Sequence, residues 1–311
     1  METPNLAELA AGFSNENAAR ELLESMRWPN GAACPRCGGA DPYKLTPKKS
    51  SKRPVRKGVW KCRACRKQFT VTVATIFEGS HIKLSKWLLA IHLLCASKKG
   101  MSAHQLHRML GVTYKSAWFM AHRLRYAMSQ EPLASKLSSV VEVDETYVGG
   151  RRKGICGRPG AGDKKTPVVA LVERGGRVRA FPMERITSDR VQDAIRERVE
   201  LSAHMMTDEL KAYHGLDMGF ASHQTVTHSR GEYVRGTVST NAVEGFFSLL
   251  KRGINGVYHH VGKGHLGRYC DEFAFRYSTR TVTDGERVVL AVQGAEGKRL
   301  TYQQPAQASQ N

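Results

Sequence analysis

Two short apolar runs in this chain each end in a pair of acids. The stretch "VVEVDETYVGG" (140–150) places Asp144 and Glu145 where a buried strand should be driest, and "HMMTDELKAY" (204–213) repeats the arrangement with Asp208 and Glu209. A carboxylate removed from water is costly unless it is paired, protonated or bound to a cation. One reading is local: Asp often opens a turn where a strand stops, and Gly149 and Gly150 follow Asp144 closely. The second run, and a third acid, Glu244 in "NAVEGFFSLLK", point elsewhere. Three like charges brought together repel one another, and they make sense around divalent cations held by oxygen ligands. Two such cations roughly 4 Å apart can activate a nucleophile and stabilise a leaving oxygen, which is the chemistry of phosphoryl transfer.

The surrounding pattern must bring these acids together. Apolar, β-branched runs predict strands at 140–148, 167–174, 178–183 and 204–208, with Gly175 and Gly176 turning the second into the third. Helical periodicity predicts helices over 188–201 and 239–254. A three-strand meander, a helix and a parallel strand make a mixed α/β sheet of nuclease type. If the first and fourth strands are neighbours, Asp144 and Asp208 lie side by side at their carboxyl ends, and the last helix brings Glu244 across. Lys251 follows Glu244 by seven residues, about two turns, so it shares that face. Lys251 and Arg252 are then expected at DNA phosphate, with Asn241 on the same face. Phe246, Phe247, Leu249 and Leu250 form the core stripe. Glu145 alternates to the other side of its strand, toward solvent or DNA. Beyond the helix, "VYHHVGKGHLGRY" and "DEFAFRYSTR" gather His259, His260, Arg268 and other basic or aromatic residues. These are expected to meet the DNA backbone, a zinc site being the alternative.

Upstream, Cys34 and Cys37 in "CPRCGG" and Cys62 and Cys65 in "CRACRK" form two CxxC pairs separated by positions 38–61. Such doubled pairs supply four thiolates to one tetrahedral Zn2+; a redox CxxC is the weaker alternative. The basic stretch between them reads as a hairpin loop, and "VWKCRACRKQFTVTVATIF" as strand, together a zinc ribbon. Cys95, Cys156 and Cys270 are scattered, as small apolar residues are. Next come three helical runs, with Ser102 able to cap the second and Gly111 ending it before Thr113 opens the third. Helix, short turn and helix describe a helix-turn-helix, whose later helix would offer Tyr114, Lys115, His122, Arg123 and Arg125 to DNA.

The balance of 48 Lys+Arg against 28 Asp+Glu, a formal charge of +20, attracts polyanions, nucleic acid foremost. No apolar run approaches the roughly 20 residues that span a bilayer, and the acidic N-terminus lacks a secretory pattern. A cytoplasmic location is the expectation.

The 35 residues between Asp208 and Glu244 (209–243), followed by Lys251, look like the DD(35)E pattern of transposases and integrases. More narrowly, "VEVDETYVGG", "TDELKAY", "STNAVEGFFSLLKRGINGVYHHVGKGHLGRYCDEFAFRYSTR" and the zinc ribbon resemble bacterial insertion-sequence transposases of the ISXO2-like group in the DDE superfamily. The likeness runs from about Asn15 to Arg280. It implies an RNase H-like catalytic fold, and a catalytic set of Asp144, Asp208, Glu244 and Lys251 with two Mg2+ ions that Mn2+ can replace. It also implies cleavage at the element's ends, and joining of the freed 3′-hydroxyl to target DNA. Pairing two ends implies a homo-oligomer on DNA, without a small-molecule substrate or membrane partner. Some relatives carry Asn at the third position, and Asn241 stands near it; Glu244 has the spacing and the carboxylate. Two other readings stay open: a structure-selective nuclease on the same fold, and a zinc-ribbon and helix-turn-helix regulator without catalysis. The expected divisions are an N-terminal helical segment (1–30), zinc ribbon (31–80), helix-turn-helix (81–130), catalytic domain (138–285) and C-terminal tail (286–311).

Overall fold

The computed structural model describes residues 15–46, 55–129, 135–150 and 165–301. The basic hairpin loop of the ribbon, most of the Gly-rich stretch after Gly150, Cys156 and the final "YQQPAQASQN" lie outside the described residues. The chain divides into two units. Within the described residues, one comprises 15–129 together with 281–301, and the other comprises 135–280.

The first unit opens with α1 (Glu16–Arg27), capped by the Asn15 side chain on Asn17 N and Ala18 N. Three short strands, β1 (Pro42–Lys44), β2 (Trp60–Cys62) and β3 (Gln68–Phe69), form an antiparallel sheet in that order. The ribbon has almost no core of its own: Phe69 and the cysteines pack with Trp28 and Trp60, whose rings meet edge to face at 5.9 Å. After β3 the chain does not continue as strand, although "TVTVATIF" has strand composition. It forms successive turns over 71–79, because the buried Arg27 guanidinium takes the Val71 and Val73 carbonyls at 2.6 and 2.9 Å.

Three helices follow: α2 (Leu84–Ala96), α3 (Ala103–Leu110) and α4 (Tyr114–Met128). Ser102 accepts from Gln105 N, Gly111 adopts the left-handed conformation at φ 57°, and Thr113 accepts from Ser116 N, which builds the expected helix-turn-helix. Only the start of α4 is open to solvent, at Tyr114 and Lys115. His122, Arg123 and Arg125 are buried, which corrects their reading as DNA contacts. The Arg123 guanidinium donates to the carbonyls of Ile76 (2.7 Å), Glu78 (3.3 Å) and Leu300 (3.1 Å) and lies over the Phe119 ring. Truncating it strands buried acceptors, each worth about 1–3 kcal/mol. Arg123→Ala is therefore expected to lose about 3 kcal/mol in thermal unfolding, with the salt dependence of DNA binding by the folded fraction unchanged.

Residues 286–301, read as the start of a tail, instead belong to the first unit. Helix α8 in the chain order used below, Asp284–Gln293, opens with a capping box between Thr283 and Glu286 and packs in the first unit against α1, α2 and α4. Gly294 ends it where an added Cβ would stand 2.4 Å from the Ala127 carbonyl, so only glycine permits that approach. Gly297 N donates to Ala74 O, and Glu296 pairs with Arg27 at 3.1 Å.

The second unit is built on five strands: β4 (Val140–Val148), β5 (Thr166–Glu173), β6 (Val178–Pro182), β7 (His204–Thr207) and β8 (Ser222–Thr225). Their order is β6-β5-β4-β7-β8, with β4 to β6 antiparallel and β7 and β8 parallel to β4, an RNase H-like mixed sheet. Strand β8 was not foreseen; "SHQT" has no apolar alternation. Helix α5 (Ser188–Arg198) covers one face through Val191 and Ile195. Helices α6 (Asn241–Gly253) and α7 (Leu266–Ser278) cover the other, where Val243, Phe246, Phe247, Leu250 and Phe273 meet Val168, Ala170 and Val172. A small hairpin, β9 (Val234–Arg235) and β10 (Val238–Ser239), leads into α6. Arg268 on α7 is buried, a second correction to the expected DNA contacts.

Candidate active site

Strand register decides where the acids go. Glu142 and Met206 form the last pair of the parallel β4–β7 ladder, so Asp144 and Asp208 each stand two residues beyond it. Asp208 directly follows β7, whereas Asp144 lies in the middle of β4, which runs on beside β5 to Val148, so it does not close its strand as the sequence suggests. Asp144 sits opposite Ala170, on the face packed by α6 and α7. Glu244, in the first turn of α6, comes to that face from above. Asp144 lies within electrostatic reach of both Asp208 and Glu244, although the three carboxylates do not converge as closely as a ready-made ligand set, and Asn241 stands at the exposed first position of α6. Glu145 points to the opposite face, as alternation requires, and accepts a 2.7 Å hydrogen bond from the buried Tyr213 hydroxyl.

Their electrostatics reflect this grouping. Burial, and then the charges of Glu145, Asp208 and Glu244, push the Asp144 carboxyl up to about 7. Burial also raises Asp208, with Glu209 adding to the effect and Leu210 N and His228 opposing it. An acid whose folded pKa lies above its ordinary value of 3.8 keeps its proton on folding in the interval between the two. The stability it contributes is complete below about pH 4 and is lost as pH rises through about 7. Melting of the zinc-loaded protein without added magnesium is expected to fall across that window, by at most about 4 kcal/mol at about 1.4 kcal/mol per unit. Asp144→Asn should flatten the profile.

How α6 is held explains why Glu244 lies here. Its first free N–H groups are not capped by Thr240, the residue before it; they are taken by Glu142, whose Oε2 accepts from Ala242 N (2.7 Å) and Val243 N (3.2 Å). Glu142 is 1% exposed and also pairs through Oε1 with Arg174 Nε at 2.7 Å. The same guanidinium holds the carbonyls of Thr237 and Ser239 in the hairpin ahead of α6. Through these contacts Glu142 ties β4 to the start of α6, and Arg174 ties it to the hairpin ahead of that helix. Sequence reading passed over Glu142, although an acid inside "VVEV" with the parity of Asp144 carried the same signal as Asp144 itself.

Two cavities flank the end of β4. One, of about 860 Å3, is lined by Glu145, Tyr147, Ser188, Asp208, Glu209 and Lys211. The other, of about 370 Å3, is lined by Tyr147, Lys165, Lys251, His259 and His260. Lys251 and Arg252 are exposed, and Lys251 shares its cavity with the two histidines, so these expected phosphate contacts are accessible. After Gly253 the helix widens into a π turn over Ile254–Tyr258, and His259 takes a positive φ of 56°. Non-glycine residues in that region cost energy and are often found at functional sites.

The four ribbon cysteines converge, with all four sulfurs within 4.8 Å of one another and pairs at 3.7 Å (Cys34 and Cys65) and 3.6 Å (Cys37 and Cys62). Tetrahedral Zn–S bonds of about 2.3 Å require sulfurs roughly 3.8 Å apart, so the set fits structural zinc. Among the described residues no other set of three such side chains converges in this way. The acids offer the hard oxygen donors that Mg2+ prefers, and a buried carboxyl held near neutrality is one that a cation would help to ionise.

Residues 136–278 match the family described as the ISXO2-like transposase domain, and residues 14–68 match the transposase zinc-ribbon domain. A protein of Halobacterium salinarum, "Uncharacterized protein in transposable element ISH50", is 29% identical over 279 residues, covering 85% of this chain and 91% of that relative. The Mos1 strand transfer complex is similar over 69% of this chain and 79% of that one, at 13% identity and a TM-score of 0.24. The Mos1 paired-end complex gives 14% identity over 68% and 80%, with a TM-score of 0.20; scores this low add nothing to the assignment. On its catalytic unit and its ribbon together, the chain belongs to the ISXO2-like transposase family.

Proposed function

We propose that this transposase cuts the ends of its insertion sequence and joins them to target DNA, with Asp144, Asp208 and Glu244 holding two Mg2+ ions. One observation supports this reading: the Asp144 carboxyl, on the face of β4 covered by α6, is pushed up to about 7 by burial first and then by the charges of Glu145, Asp208 and Glu244. When bound, the ions would polarise the scissile phosphate and lower the pKa of the attacking hydroxyl. The protein supplies the frame. Glu142 and Arg174 fix α6 against β4, and Lys251, exposed two turns beyond Glu244, contacts a non-bridging phosphate oxygen. Water first attacks the phosphorus at the element end, breaking the 3′-oxygen bond. The freed 3′-hydroxyl then attacks a target phosphate and displaces a target 3′-oxygen, with no covalent bond to the protein.

Element ends are read by the zinc-loaded ribbon and by the exposed start of α4 around Lys115, and Asn241, Arg252, His259 and His260 meet DNA backbone near the acids. Two ends joined together call for a homo-oligomer on DNA, working at the bacterial nucleoid. Among the described residues no helix is long and apolar enough to cross a membrane.

The test is a joining reaction with labelled DNA that flanks the gene, a supercoiled plasmid and Mg2+. Label is expected on the plasmid with wild type and with Asn241→Ala, and none with Glu244→Gln. Nicking without joining would replace the proposal with a nuclease, and binding alone with a regulator.

A further inference from the structure

Thr240 is buried and stands where a helix cap belongs, yet its hydroxyl does not cap α6. Because Glu142 has taken the N–H groups of Ala242 and Val243, the hydroxyl is released for other partners. It lies 3.3 Å from Glu244 Oε1 and 3.3 Å from His228 Nε2. A hydroxyl between a carboxylate and an imidazole donates to the first and accepts from the second, which assigns the proton of His228 to Nε2. His228 is itself placed with care. The carboxylate of Glu209, directly after Asp208, accepts from His228 N at 2.8 Å and Ser229 N at 3.0 Å, and Tyr233 packs on the imidazole with ring centroids 5.1 Å apart. The imidazole Nε2 is 3.7 Å from Glu244 Oε1. Among the described residues, Oε2 of Glu244 accepts no hydrogen bond.

We infer that His228 and Thr240 form a relay that positions the third acid: His228 donates to Thr240, Thr240 donates to Glu244 Oε1, and Oε2 is turned toward the cation held with Asp144 and Asp208. This rests on the reading of Glu244 as a metal ligand. The relay also links two of the acids through the backbone. Glu209 follows Asp208 and anchors the loop carrying His228, which in turn orients Glu244, so a shift at either acid is felt at the other. His228 and Thr240 act through Glu244 and are positioning residues. Partners of this kind orient metal ligands, and their loss typically costs about 10- to 100-fold in metal affinity.

The experiment measures Mn2+ binding to the full, zinc-loaded chain by the loss of the free-ion electron paramagnetic resonance signal, without DNA, alongside the magnesium dependence of joining. Thr240→Val and His228→Ala are each expected to weaken Mn2+ binding by about 10-fold or more. Thr240→Ser keeps the hydroxyl, and His228→Gln places an amide donor near the position of Nε2; both should stay within about 3-fold of wild type. Residues in series share one loss, so the double variant should be no weaker than Thr240→Val alone. Thermal melting of each protein separates misfolding from misplacement of Glu244, and the serine and glutamine variants carry the test if a truncation fails to fold.

The relay is overturned if Mn2+ binding is unchanged in Thr240→Val and His228→Ala, if the double variant shows the product of the two losses, or if the serine and glutamine forms are as weak as the truncations. A wild type that binds no Mn2+ overturns it as well. A wild type that binds Mn2+ with the expected pattern but joins no DNA supports the relay and sinks the proposed reaction instead.

Discussion

Asp144→Asn is expected to give a protein at least as stable as wild type near neutral pH, unaltered in binding to element ends, and slower in joining by about 10³-fold or more. The two halves of this result come from one fact. Burial and three neighbouring acids raise Asp144 to about 7, so the fold without cations penalises the charged side chain, and Asn imitates the neutral one in shape. Removing the charge therefore relieves repulsion. The same charge is what a divalent cation requires, and losing one fixed electrostatic contact to a reacting phosphate costs about 10²–10³ even where only a single neutral donor is removed. A metal ligand should cost more. The checks are a thermal melt at pH 7, a gel shift with an end fragment, and single-turnover joining. A variant that melts well below wild type would mean Asp144 serves the fold, and one that joins normally would remove it from the catalytic set.

The second large effect is loss of zinc. Among the described residues the ribbon's core cluster is Cys34, Cys62 and Phe69, supported by partly buried Trp28, Trp60, Cys65 and Val73, too little apolar surface to order three strands of two or three residues. In domains of this size metal binding supplies the folding free energy, on the order of 10 kcal/mol or more at neutral pH. Cys62→Ser, at a residue 1% exposed whose sulfur is 3.6 Å from that of Cys37, should bind less than one zinc per chain and lose amide protection in β1, β2 and β3. Hydrogen exchange read by mass spectrometry checks this, with β4, β5 and β7 retaining protection as the internal control. End binding should fall by at least 100-fold. Equal loss of protection in both units would show that the ribbon is not an independent folding element.

What could be read from the sequence followed from strong local chemistry. Two CxxC pairs and the Ser102, Gly111 and Thr113 punctuation each have few physical interpretations, and the corresponding elements stand where they were expected, whereas Asp144 lies within β4 rather than at its end. What was missed depends on distant partners. A basic residue reads as exposed until something satisfies it. Arg123 is satisfied by the carbonyl of Leu300, far along the chain, and Arg27 by two carbonyls in a stretch whose composition favours strand. Strand β8 is polar because it pairs only with β7, on the outside of the sheet, and needs little apolar surface. Of the residues around the acids, Asp144, Asp208 and Glu244 were legible from position. His228, Thr240 and Glu142 were not, since their meaning lies in which hydrogen bonds the others leave to them.

In chain order the second unit interrupts the first, because the chain leaves the first unit at residue 129 and returns to it with α8 after residue 280. During synthesis this order has a cost in time. A ribosome releases the ribbon and helix-turn-helix early, but the helix that packs against them only after the entire nuclease-like sheet has emerged. Prematurely terminated chains therefore lack Arg287, Glu296 and Leu300, and with them the partners of the Cys95 carbonyl, Arg27 and Arg123. Fragments ending before residue 281 should be poor competitors for the element's ends, so incomplete translation products would be silent rather than inhibitory in the cell.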